Sequence, residues 1–196
     1  MFIKKNKNHQ HSFYMGLAIK QAKKILGNTK DNPAVGCIIA NNHSAISAGH
    51  TQFKGRPHAE FNAIKSSKFR LKNSKIYITL EPCTHYGKTP PCTNLIIKNK
   101  IKKVFFSSID PDLRTFNKST YLLRKKNIMV KKGVLLSEIK NFYRSYFLLK
   151  RDKLPFVSGK MAITRDFYTV NKKSKWITNI FSRYRGHYLR SIHDCI

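Results

Sequence analysis

Apolar and polar positions along the chain change period several times, and each change marks an element. From Ser12, placed as an N-cap, Tyr14, Leu17, Ala18, Ile25 and Leu26 recur near helical spacing until Gly27 and Asn28 stop the run. AVGCIIA (34–40) is continuously apolar and reads as a buried strand, with AISAGHT (45–51) as its hairpin partner across Asn41-Asn42. PHAEFNAIKSS then opens a helix with Pro57 near its first position, and KIYITL (75–80) returns to strand. The same order repeats in PPCTNLIIKNK and KKVFFSSI (102–109). A helix over 119–126, a strand over IMVKKGV and an amphipathic helix from Ser137 to about Lys150 complete the series. Alternation of this kind predicts an α/β fold, a sheet covered by helices, occupying residues 1–150. Residues 151–196 form a second segment that begins like a strand, PFVSGKMAI, and reaches HDCI with no terminal helix or turn. A piece of roughly forty residues rarely sustains a core alone.

Composition changes this picture little. Hydrophobic content of 41% and aromatic content of 12% suit a soluble globular protein, and no apolar run approaches the ~18 residues of a membrane helix. The N-terminus has early lysines but only a short apolar stretch broken by Gly16, so no signal peptide is expected and the location is expected to be cytoplasmic. Thiols stay reduced there, which favours metal-binding or catalytic cysteines over disulfides. The net charge of +30 attracts phosphate, on nucleic acid or on a small substrate. Lysine is spread evenly beside abundant Asn, Ile and Phe, with no arginine-rich tract, so compositional bias explains the excess better and nucleic acid is not the expected partner.

The chemistry concentrates in EPCTHYGKTPPC (81–92), where eight residues separate Cys83 from Cys92. A hydrolytic zinc site takes three protein ligands and keeps one position for water. Cys83 and Cys92 supply two, and His58 in PHAE is the best third. His-x-Glu followed by Pro-Cys and a second Cys is the signature of zinc nucleobase deaminases, in which the Glu, here Glu60, shuttles protons and does not bind metal. Residues two apart do not share a face in mid-helix, so His58 and Glu60 can meet only at an open first turn, where Pro57 puts them. Pro91 likewise sets Cys92 at a helix start, where unpaired N–H groups favour thiolate. Cys37, on an apolar strand, reads as core.

Eight residues filled by THYGKTPP, together with DNPAVG, GRPHAE, TLEPC and DPD, resemble the pyrimidine deaminase of riboflavin biosynthesis, over about residues 12–150. The resemblance implies a cytidine-deaminase-like three-layer α/β/α sandwich with a mixed central sheet, one Zn2+, and removal as ammonia of the 2-amino group of 2,5-diamino-6-ribosylamino-4(3H)-pyrimidinone 5′-phosphate. By the same resemblance Asn32 lines the base pocket, Thr51 stands at a substrate position often held by histidine, and His85, Lys88 and Thr89 meet the ribose phosphate. Such enzymes are commonly dimers or larger, which leaves a homo-oligomer open. PFVSGKMAITRDF and SKWITNIFSRYRGHYLR are similar to the opening of the reductase domain that usually follows, where Ala162 and Trp176 would touch NADP(H) and Ser174 and Arg190 the ribose phosphate. The reductase segment is incomplete, and no reductase activity is expected of these residues alone. Two readings compete: a deaminase of tRNA or another polynucleotide, against which the long cysteine spacing argues, and a nucleic-acid-binding protein with a purely structural zinc.

Overall fold

A computed structural model describes residues 7–169 and 178–196. The chain divides into two compact units, 1–154 and 155–196. The first is built on five strands, β1 (Gly36–Ala40), β2 (Ala45–His50), β3 (Lys75–Leu80), β4 (Lys103–Ser108) and β5 (Met129–Lys132), in the order β2-β1-β3-β4-β5. β1 is antiparallel to β2 and β3, whereas β3, β4 and β5 run parallel, so the sheet is mixed. β1 and β3 are buried at every residue, which is why their sequences run mostly apolar without alternating, while the edge strand β2 is mostly half-buried or exposed and β5 is largely exposed.

Helices cover both faces. In the β1/β2 register Gly36 lies opposite His50 and Cys37 opposite Gly49, so Gly36 and Gly49 point to opposite sides of the sheet. A Cβ on Gly36 would overlap the backbone of Ala18 and Ala22 in α1 (Lys7–Lys23), and one on Gly49 the backbone of Ala59 and Ala63 in α2 (Ala59–Lys65). These two glycines set helix-to-sheet distance on either face. α3 (Cys92–Lys98) and α4 (Lys118–Lys125) follow β3 and β4.

Three expectations need correction. α1 starts at Lys7, so Ser12 lies within it and is not its cap. Its early turns are held by tertiary contacts that local sequence does not reveal: His11 stacks on Phe105 at 4.1 Å and its Nδ1 lies 3.0 Å from the Tyr77 hydroxyl. The helix expected over 137–150 is broken into α5 (Leu136–Lys140), α6 (Arg144–Phe147) and a π-helical turn, Leu148–Asp152. The break falls where buried Tyr143 reaches Thr79 Oγ1 (2.6 Å) and donates to the Ala34 carbonyl (3.1 Å). In the second unit the residues expected to be a strand have no regular structure, and a helix, α7 (Ile180–Ser191), stands where none was expected. α7 is capped by Asn179, whose side chain accepts from the Ser182 N–H at 2.8 Å. No helix among the described residues is long and apolar enough to cross a membrane.

Candidate metal centre

Three chain segments bring the site together. The cis Arg56-Pro57 peptide delivers His58 as the N-cap of α2, with Glu60 in the first turn. Cys83 follows the end of β3, and Cys92 is the first residue of α3 behind its N-cap, Pro91. The start of α3 is tied to Cys83: the Cys92 N–H donates to Cys83 Sγ (3.2 Å), and the Thr93 N–H and hydroxyl both donate to the Cys83 carbonyl (3.2 Å each). Backbone groups that a helix start leaves unpaired are thus spent on holding one cysteine.

His58 Nδ1 lies 3.7 Å from Cys83 Sγ and 3.4 Å from Cys92 Sγ, and the three ligand atoms fall within 4.8 Å of one another. Zinc bonds of about 2.3 Å to sulfur and 2.0–2.1 Å to nitrogen at a tetrahedral angle separate sulfur from nitrogen by about 3.5 Å, so this donor set fits a zinc ion. It is the group of that kind found among the described residues. Glu60 is 4% exposed; burial, then the Cys83 sulfur, pushes its carboxyl up to about 7. Hydrogen bonding from Cys92 holds the Cys83 thiol below its ordinary range, and the same bond, with burial, raises Cys92. Cys37 is fully buried in the core, and its thiol is pushed up by burial.

Between the cysteines, residues 86–90 form an exposed lip, with Thr84 and His85 half-buried and Pro91 buried. Lys88 is exposed, Thr89 Oγ1 accepts from Arg56 Nη1 at 2.7 Å, and His85 Nδ1 lies 3.2 Å from Thr115 Oγ1. Thr84 donates to the Arg114 carbonyl (3.0 Å), so the loop that holds Arg114 and Thr115 supports the residues that follow Cys83. Asn32 is half-buried, with its side chain against Gly55, where φ is +85° and any Cβ would strike Asn32. Thr51 is buried, and its hydroxyl accepts from the Val35 N–H (3.0 Å) and donates to the Pro33 carbonyl (3.2 Å), securing the turn that carries Asn32. In the second unit Ala162 is half-buried and Arg190 is exposed on α7; Ser174 and Trp176 lie outside the described residues. Sequence reading passed over Arg56, Gly55, Glu81 and Tyr143. GRPHAE and LEPC contain the first three, but nothing local marks Tyr143, whose partners lie 64 and 109 residues away.

Residues 8–108 match the family model for the cytidine and deoxycytidylate deaminase zinc-binding region. The chain is 37% identical over 179 residues to riboflavin biosynthesis protein RibD of Aquifex aeolicus, covering 90% of this chain and 50% of that protein. Against the diaminohydroxyphosphoribosylamino-pyrimidine deaminase of Buchnera aphidicola subsp. Schizaphis graminum, identity is 43% over 143 residues, 73% of this chain and 97% of the relative. The crystal structure of a diaminohydroxyphosphoribosylaminopyrimidine deaminase/5-amino-6-(5-phosphoribosylamino)uracil reductase from Thermotoga maritima superposes with a TM-score of 0.89 at 37% identity, over 96% of this chain and 55% of that one. The chain thus spans about half the length of the RibD proteins it matches. By its mixed five-stranded sheet, its His/Cys/Cys cluster and these matches, the chain belongs to the RibD-type pyrimidine deaminases of the cytidine and deoxycytidylate deaminase zinc-binding family.

Proposed function

We propose that the chain hydrolytically deaminates 2,5-diamino-6-ribosylamino-4(3H)-pyrimidinone 5′-phosphate, in the cytoplasm, with one zinc held by His58, Cys83 and Cys92. The observation that carries this is the convergence of those three ligand atoms within 4.8 Å with the buried Glu60 on the same first turn as His58. A bound zinc supplies Lewis acidity, lowering the pKa of a water in its open position toward ~7. Glu60 takes a proton from the attacking water and passes it to the ring nitrogen beside the amine-bearing carbon, then carries the proton of the newly added hydroxyl to the departing amine as the C–N bond breaks. Water adds, ammonia leaves and a carbonyl remains. Asn32, seated on Gly55 and backed by Thr51, orients the pyrimidine. Lys88 offers a point charge to the phosphate, with His85 and Thr89 completing that end of the site.

Residues 151–196 we assign to the opening of a reductase domain, with Ala162 and Trp176 facing NADP(H) and Ser174 and Arg190 the ribose phosphate.

The test is ammonia release from the pyrimidine nucleotide against release from a tRNA anticodon stem. Turnover of the nucleotide with none on the RNA is expected; the reverse preference contradicts the reading.

A further inference from the structure

We propose that Glu81 is a positioning residue of the metal centre, fixing the direction in which the chain presents Cys83; this rests on the zinc reading above. Glu81 is 3% exposed, and each carboxylate oxygen is used twice. Oε1 accepts from the Ser119 hydroxyl at 2.6 Å and the Ser119 N–H at 3.2 Å. Oε2 accepts from the Asn117 N–H at 3.1 Å and the Asp110 N–H at 3.4 Å. Four donors converge on the two oxygens of one side chain, a pattern that a carboxamide would suit poorly, since its NH2 would face N–H groups.

Part of this arrangement serves α4, whose N-cap Asn117 makes no side-chain cap of its own, so Glu81 caps the helix from a distance. Capping alone does not account for what surrounds it. Only Pro82 separates Glu81 from Cys83, and the proline ring fixes one of the two soft torsions there. On the far side of Cys83, Thr84 donates to the Arg114 carbonyl and His85 meets Thr115, both in the segment that Glu81 grips. Cys83 is therefore bracketed: the residues before and after it are fastened to 110–119, and its sulfur has little freedom to turn from His58 and Cys92.

The test compares wild type with Glu81→Gln on the full chain by zinc affinity in competition with a chelator, the visible bands of the cobalt-substituted protein, and thermal unfolding with and without metal. Expected is a loss of zinc affinity of about tenfold or more together with altered thiolate–cobalt bands, in protein that remains folded at the assay temperature. Zinc affinity within twofold of wild type and unchanged cobalt bands, with only a lower unfolding temperature, would leave Glu81 a helix cap and overturn the proposal. Should Glu81→Gln fail to fold, Ser119→Ala removes one of the four donors and is expected to weaken zinc binding by a smaller factor in the same direction; unaltered affinity and bands there overturn the proposal as well. A folded wild-type chain that takes up no zinc sinks both this inference and the functional reading, whereas zinc-loaded wild type with an indistinguishable Glu81→Gln sinks this inference alone.

Discussion

The two units hold their apolar side chains differently. In the first, the strands and the helices over them enclose a core that includes Met15, Ile39, Tyr77, Phe105, Phe106 and Tyr143, all 2% exposed or less. In the second, Phe181, Tyr184 and Tyr188 of α7 are each more than half exposed, and Gly186 is the one buried residue among those described. Catalytic geometry needs the first arrangement. Ligands drawn from positions 58, 83 and 92 stay within bonding reach of one ion only if the elements carrying them cannot slide, and close packing prevents that. The second unit offers no such enclosure to Ala162 or Arg190.

The largest expected effect strikes the enclosed unit. Glu60→Gln is expected to lower kcat by about 10²–10⁴-fold while zinc per chain stays at the wild-type level, since in the proposed mechanism the carboxylate moves protons and does not bind metal. Metal analysis beside a turnover assay checks both, and full activity would remove Glu60 from the chemistry. Next come two glycines that form a matched pair across the units. Gly49→Ala drives a methyl into the backbone of α2 and is expected to destabilise the protein by about 1–3 kcal/mol in thermal or urea unfolding. At Gly186 a Cβ would meet, among the described residues, only the flexible end of Lys160, at 3.3 Å, so Gly186→Ala is expected to be neutral or to strengthen α7 by up to about 1 kcal/mol. Equal losses at both positions would mean that the second unit is packed as tightly as the first.

A pH series sharpens the same contrast. Burial pushes the Asp110 carboxyl up to about 6, although the Asp112 N–H and the Tyr146 hydroxyl donate to it. Because the folded chain holds that proton more tightly than the unfolded one, with its pKa near 3.9, this group's contribution is greatest below about pH 4. It declines as pH rises to about 6 and is level above. Asp112 works in the opposite sense. Its hydrogen bonds from the Arg114 side chain hold its pKa down, so its contribution is present above about pH 4 and is lost in stronger acid. Between pH 4 and 6, Asp110→Asn is therefore expected to flatten the stability slope by on the order of 1 kcal/mol per pH unit, and identical slopes in wild type and variant would remove Asp110 as its source. Smallest of all, ending the chain at Leu154 is expected to change the proposed deamination by less than about twofold, since His58, Glu60, Cys83 and Cys92 all lie in the first compact unit. A large loss would show that the second unit supports the site.

The strands and the cysteine-rich lip were legible because their causes are local. Unbroken apolar runs mark β1 and β3, and a proline at each helix start marks where His58 and Cys92 sit. What escaped depends on partners distant in sequence. The start of α1 is held by Tyr77 and Phe105, and the turn at 141–143 goes with the reach of Tyr143 to Thr79 and Ala34. Glu81 lies in plain view within LEPC, but its four donors come from residues 29 to 38 positions later. α7 was missed because basic and aromatic residues are interleaved along it, and its Asn179 cap gives only a weak local cue.

The most direct test of the central claim is zinc content and ammonia release measured on one preparation of the purified chain, before and after treatment with a chelator. One zinc per chain, with nucleotide deamination that vanishes on chelation and returns when zinc is restored, is the predicted result. A folded chain that binds no zinc, or one that carries zinc and releases no ammonia from the nucleotide, would contradict it.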